Sequence, residues 1–134
     1  MIEVPPNPAK AKSMLEAAER RLQFIKKVPV TEESADIVSE KCYDSFRMLG
    51  DALLIARGKK SARQGHHRTA LNELLTLHAR TELPLTTLLN LQELRRKIEY
   101  DGYQATISEA ENAITVTNTC FQPLLEAVRK EIKK

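Results

Sequence analysis

Apolar residues recur every three or four positions along most of this chain, and polar residues fill the breaks between. The first stretch opens at Asn7-Pro8. Asparagine caps, and proline at the first helical position gives up a donor that would have no partner there anyway. Met14, Leu15, Ala18, Leu22 and Ile25 then form one stripe, with Lys10, Lys12, Glu16, Glu19 and Lys26 largely opposite, and Val28-Pro29-Val30 ends the helix near Lys27. Thr31 caps a second helix, with Glu32 and Glu33 placed against the positive end of its dipole. Its seam is Val38, Cys42, Ser45, Leu49, Ala52 and Ala56, widened by Phe46 and Leu53. The small residues in it predict a neighbour packed closely, and Gly58 is the stop after Arg57.

The third helix covers roughly His67 to Arg80, with Ala70, Leu71, Leu74, Leu75 and Leu77 as its apolar face. Thr81-Glu-Leu-Pro84 is a break. A fourth helix starts at or just after Pro84, carries the stripe Leu85, Leu88, Leu91, Leu94 and Ile98, and stops at Gly102. Thr106-Ile-Ser-Glu109 is a capping box opening a fifth helix. Its face is Ile107, Ala110, Ile114, Thr117, Phe121, Leu124, Leu125, Val128 and Ile132, and Pro123 should kink it or break it near Phe121. The expected fold is all-α, an up-and-down bundle of four to five helices, in one domain over residues 1–134.

Composition agrees: 134 residues, 42% hydrophobic and 29% charged, with four glycines and no tryptophan. No apolar run approaches the ~18 residues of a membrane span. The Met-Ile-Glu-Val-Pro-Pro start has neither the basic opening nor the apolar core of a signal peptide, so a cytoplasmic protein away from membranes is expected. Cys42 and Cys120 sit among apolar neighbours in helices and are read as small buried hydrophobes. No Gly-rich phosphate loop, Ser-His-Asp set or metal-spaced cluster occurs, and no metal or cofactor is expected.

Two features carry candidate chemistry. At about 100° per residue, Arg95 falls inside the arc of Leu88, Leu91, Leu94 and Ile98, while Arg96 falls on the flank. An arginine within an apolar stripe either snorkels and bonds an acid one turn on, here Glu99, or lines a cleft. The second feature is the basic segment Arg57 to Arg68, with Lys59, Lys60, Arg63 and Arg68 beside His66 and His67 and no acidic residue within it. It is either a solvated loop at a helix C-terminus or a strip that contacts phosphate. It holds no aromatic ring, so it could position a nucleic acid but hardly read its sequence.

The run Leu94-Arg-Arg-Lys-Ile-Glu-Tyr-Asp-Gly102 resembles the C-terminal signature of the HEPN superfamily, above all its stand-alone prokaryotic members. Tyr43-Asp-Ser-Phe46 with Leu49-Gly-Asp-Ala-Leu-Leu54 resembles the long core helix of these domains, and Gly65-His-His67 with Leu71 and Leu74-Leu75 the opening of the next. The resemblance spans about residues 31–132. It implies a helical bundle that dimerises, with the signature lining a cleft between subunits. Active members are metal-independent ribonucleases whose motif is an arginine, four to six residues, then a histidine. Here Tyr100 stands five residues after Arg95, and no histidine follows it. Counting from Arg96 instead gives Asp101 at five residues and Tyr103 at seven. Phenols ionise near pH ~10 and make poor general bases near neutrality.

The resemblance therefore implies a protein that binds RNA or a nucleotide through Arg95, Arg96 and Tyr100, with Arg96 as the solvent-facing phosphate contact. Relatives with this replacement are often encoded beside a minimal nucleotidyltransferase in a two-gene, toxin–antitoxin-like module, which makes such an enzyme the expected partner. Two alternatives stay open: an active endoribonuclease toxin in which His66 or His67 replaces the motif histidine, and a structural dimer that holds a partner protein.

Overall fold

The computed structural model describes residues 2–60 and 66–133, with residues 66 and 67 described by backbone alone. Among these residues it has five α-helices: α1 (Pro8–Ile25), α2 (Ala35–Ala56), α3 (His66–Leu75), α4 (Thr87–Asp101) and α5 (Ile107–Ile132). Two short strands, β1 (Ile2–Glu3) and β2 (Lys59–Lys60), pair antiparallel with Ile2 opposite Lys60 and Glu3 opposite Lys59. The described chain is an all-α bundle, and none of its helices is long and apolar enough to cross a membrane.

The bundle is built around α2, against which α1, α3, α4 and α5 all pack. The reason is compositional. Val38, Cys42, Leu49, Ala52 and Leu53 are fully buried, and so are Tyr43 and Phe46, so this helix is apolar over most of its circumference. Small residues let neighbours come close. A Cβ on Gly50 would lie 2.3 Å from the Ala70 carbonyl oxygen, so α3 crosses α2 backbone against backbone. One turn before Gly50, Phe46 meets Phe121 of α5 edge to face, with ring centroids 6.0 Å apart.

Most of the stripes read from the sequence are the buried ones. Leu15, Ala18, Leu22 and Ile25 of α1 lie in the core, as do Leu71 and Leu74 of α3 and Leu88 and Leu91 of α4. The α5 capping box forms: Thr106 Oγ1 accepts from the Glu109 amide at 3.0 Å, and Glu109 Oε1 accepts from the Thr106 amide at 2.9 Å. The two cysteines are free and buried, and burial pushes the Cys42 thiol up to about 11.

The boundaries differ in four places. Thr31 does cap, accepting from the Ser34 amide at 3.1 Å, but its turn precedes the regular helix, so the acid in the first turn of α2 is Asp36 and not Glu32 or Glu33. The Asp36 carboxylate accepts from the Ala105 amide at 2.6 Å, pinning the α4–α5 connection to the start of α2. Helix α3 stops at Leu75, short of Arg80. Thr76 Oγ1 donates to the Glu73 carbonyl at 2.6 Å, and the amides of residues 76 to 78 bond three residues back instead of four.

Helix α4 begins at Thr87, after a turn over the residues following Pro84. Helix α5 runs unbroken past Pro123. An interior proline costs about 3 kcal/mol, whereas burying Leu124, Leu125 and Val128 beyond it contributes about 5 kcal/mol or more, so packing wins. Ile107, expected on the buried face of α5, is exposed.

Candidate functional site

Helix α4 stays regular through Asp101 and ends at Gly102, whose positive φ of 67° lets the chain turn back and the Tyr103 amide reach the Lys97 carbonyl at 3.1 Å. That regularity fixes where each side chain of the Arg95–Tyr103 segment points. Arg95 is directed inward. Only 19% of its side chain is exposed, its Cζ lies 5.7 Å from the centroid of the buried Tyr43 ring, and its Nη2 stands 3.6 Å from Glu99 Oε1. Its Nε is enclosed and lies 3.6 Å from Asp44 Oδ1, beyond hydrogen-bond length, so charge rather than a paired fork holds the two together. The i,i+4 contact with Glu99 expected of a snorkelling arginine is present, and so is the inward aim expected of one lining a cleft.

Arg96 points to solvent and is already occupied. Its Nη2 and Nε bind the two Glu93 carboxylate oxygens at 2.7 and 3.1 Å, and Asp101 Oδ2 lies 3.8 Å away. The Arg96 hydrogen bond holds the Glu93 carboxyl below the usual carboxylate range. A phosphate arriving at Arg96 must compete with that two-point pair.

A recess of about 350 Å³ brings several expected residues together. Arg68 from α3 and Arg95, Arg96 and Tyr100 from α4 line it, joined by Tyr43 from α2 and by Gln92 and Glu93. Tyr100 stands at the lip with 74% of its surface exposed, and Arg95 lies at the inner wall, so residues about 140° apart on one helix border one opening. Arg68 is exposed and has no carboxylate partner among the described residues.

Other expected residues lie outside this recess. Lys59 and Lys60 form β2, and Lys59 Nζ together with Arg57 Nη1 meets the buried Glu73 carboxylate, at 3.3 and 2.9 Å. Seen along the sequence this strip is unopposed; in the fold Glu73 neutralises part of it. Tyr103 is a brace: its hydroxyl donates to Glu109 Oε1 at 2.6 Å, and Lys97 Nζ sits 4.6 Å from its ring centroid, tying α4 to the start of α5. Asp101 reaches Arg96 and does not line the recess. Arg63 and the side chains of His66 and His67 lie outside the described residues.

Sequence reasoning missed three participants. Tyr43 reads as one more core residue of α2, and only the packing of α4 on α2 brings its ring under Arg95. Glu93 was legible, because a glutamate three residues before an arginine on a helix is a standard pair. Glu40 is the third. Burial raises its carboxyl above the ordinary value, the hydrogen bond and charge of Glu99 add to this, Arg95 opposes it, and Asp44 reinforces it.

For such a group stability is complete below the ordinary carboxylate value and falls as pH rises through the higher folded value, where Glu40 must ionise beside Glu99. Glu40→Gln is accordingly expected to raise the melting temperature near pH 7 by about 2 °C, the scale of sub-kcal/mol relief at a partly exposed site. The gain should vanish below pH ~4. Thermal melts of both proteins across that range check it, and a gain independent of pH would assign it to packing.

No family model, curated protein or solved structure matches this chain.

Proposed function

We propose that this chain is a HEPN-like domain that acts as a dimer and binds RNA or a nucleotide in the recess lined by Arg68, Arg95, Arg96 and Tyr100. The observation that carries this reading is the convergence of three guanidinium groups from two helices on one opening with an exposed phenol ring at its lip. Guanidinium groups meet phosphate oxygens, and an aromatic face at the rim stacks a base without regard to sequence. Arg68 comes first among the phosphate contacts, because no carboxylate among the described residues holds it. Arg95 follows, because its fork is not saturated by Asp44 or Glu99. Tyr100 in place of a histidine favours binding over cleavage, since a phenol accepts a proton poorly near neutrality. A minimal nucleotidyltransferase encoded alongside is the partner that this reading implies.

Binding of a fluorescent single-stranded RNA, measured against salt, tests it. The parent should show a steep fall of affinity with salt, and Arg95→Ala combined with Arg96→Ala should lower the logarithmic slope by roughly 1. Superimposable curves would reject the recess as the site. Light scattering of the protein alone should return about twice the chain's 15.2 kDa.

One observation favours an endoribonuclease as the second reading. The first turn of α3, which begins at His66, reaches the recess through Arg68. Cleavage of RNA by the purified protein in EDTA, lost on replacing both histidines with alanine, would establish it.

A further inference from the structure

A second recess, of about 460 Å³, lies between α1 and α2 and shares no lining residue with the α4 site. Phe24 of α1 and Ile37 of α2 stand at its sides with 69% and 50% of their surfaces exposed, although both belong to helices whose other large apolar residues are mostly buried. Buried Ile25 and Met48 contribute to its apolar lining. Four cations surround it: Arg20 and Arg21 from α1, Lys41 and Arg47 from α2. The spacing is that of two facing ridges, since Arg20 and Phe24 are one turn apart on α1 and Ile37 and Lys41 one turn apart on α2. Asp44 is the one carboxylate in the lining. It is shared among Lys41 at 3.6 Å, Arg47 at 3.7 Å and Arg95 at 3.6 Å, and Asp51 holds Arg47 at 2.8 Å, so the net positive charge of the rim comes from Arg20, Arg21 and Lys41.

We propose that this groove docks a protein segment carrying one bulky apolar side chain with aspartate or glutamate within about a turn on either side. The apolar anchor would fill the gap between Phe24 and Ile37, and the carboxylates would meet Arg20, Arg21 and Lys41. The chemistry argues against the other occupants. A nucleic acid has charge for the rim and a base for the Phe24 ring, but it leaves the apolar surface of Ile25, Ile37 and Met48 without a matching group. A second copy of this chain, paired across a two-fold axis, would set four cations against the same four. A bilayer calls for apolar residues projecting together from a convex face, whereas Phe24 and Ile37 stand on opposite walls of a concavity.

Selection from a displayed library of random 12-residue peptides on the full-length protein tests the proposal. Enriched peptides should share an aromatic or leucine anchor flanked by acidic residues. The leading synthetic peptide, measured by fluorescence anisotropy, should bind Phe24→Ser and Ile37→Ser about tenfold more weakly. Lys41→Glu should weaken it several-fold and flatten its salt dependence. Both apolar positions are exposed, so the variants should fold, and circular dichroism checks this.

Three results would overturn the proposal: no enrichment, enriched peptides without acidic residues, or peptides that bind the serine variants as well as the parent. Co-sedimentation with phosphatidylglycerol vesicles that is lost in Phe24→Ser, without peptide enrichment, would reassign the groove to a membrane surface. A dimer in light scattering that dissociates in Phe24→Ser would reassign it to self-association.

Discussion

Arg95→Ala is expected to lower the stability by about 2 kcal/mol and to weaken RNA binding several-fold, and a second substitution should separate the two losses. The stability cost follows from what Arg95 faces. Its guanidinium lies 3.6 Å from both Asp44 and Glu99, and its charge offsets the burial and repulsion that push the Glu40 carboxyl upward. Removing one member of a fully buried ion pair costs about 3–5 kcal/mol, and an exposed pair is worth at most ~1. The roughly one-fifth exposure of Arg95 and Asp44 places this case between those limits.

Asp44 keeps Lys41 and Arg47 when Arg95 is gone, whereas Glu99 is left facing Glu40. Glu99→Gln in the Arg95→Ala background should therefore restore about half of the lost stability in urea denaturation. It should restore none of the RNA binding, because glutamine supplies no cation for a phosphate. Recovery of both together would mean that Arg95 acts on RNA only by holding α4 in place, and the proposed site would lose one of its phosphate contacts.

The inward aim of Arg95 was legible because it is a property of one helix. Counting residues around α4 is enough to set it among the leucines, and regular geometry through Asp101 preserves the count. The same holds for the stripes of α1 and α5 and for the α5 capping box. What was not legible depends on distance along the chain. Tyr43 lies under Arg95 because two helices cross, and Glu73 meets Arg57 and Lys59 because α3 folds back on the end of α2. No local pattern encodes either meeting. The β1–β2 pair escaped for another reason: two residues per strand are too few to show an alternation. A helix end was misplaced where a side chain competed with the backbone ladder, as at Thr76, and the break allowed for at Pro123 did not form because packing outweighed the proline.

Gly50→Ala should be strongly destabilising, and its effect should extend to the recess. In an ordinary helix interior the substitution is favourable by up to ~1 kcal/mol, because alanine is the better helix former. Here the new Cβ would lie 2.3 Å from the Ala70 carbonyl oxygen, 2.6 Å from its carbonyl carbon and 2.9 Å from its Cβ. Two of those atoms are backbone, so no rotamer change relieves the clash and α3 must move away from α2. Overpacking of this kind costs about 1–3 kcal/mol and occasionally more, which outweighs the gain in propensity.

The expected net loss is about 2 kcal/mol, seen as a melting temperature lower by roughly 5 °C or more. Ala70→Gly should not rescue it, because the nearest obstacle is the carbonyl and not the methyl. Arg68 sits two residues before the contact, on the same helix, so shifting α3 should also carry that cation away from Arg95 and Tyr100. RNA binding by Gly50→Ala, measured well below its melting temperature, should therefore weaken more than its folded fraction accounts for. A variant that melts early but binds RNA as tightly as the parent would show that α3 contributes nothing to the site.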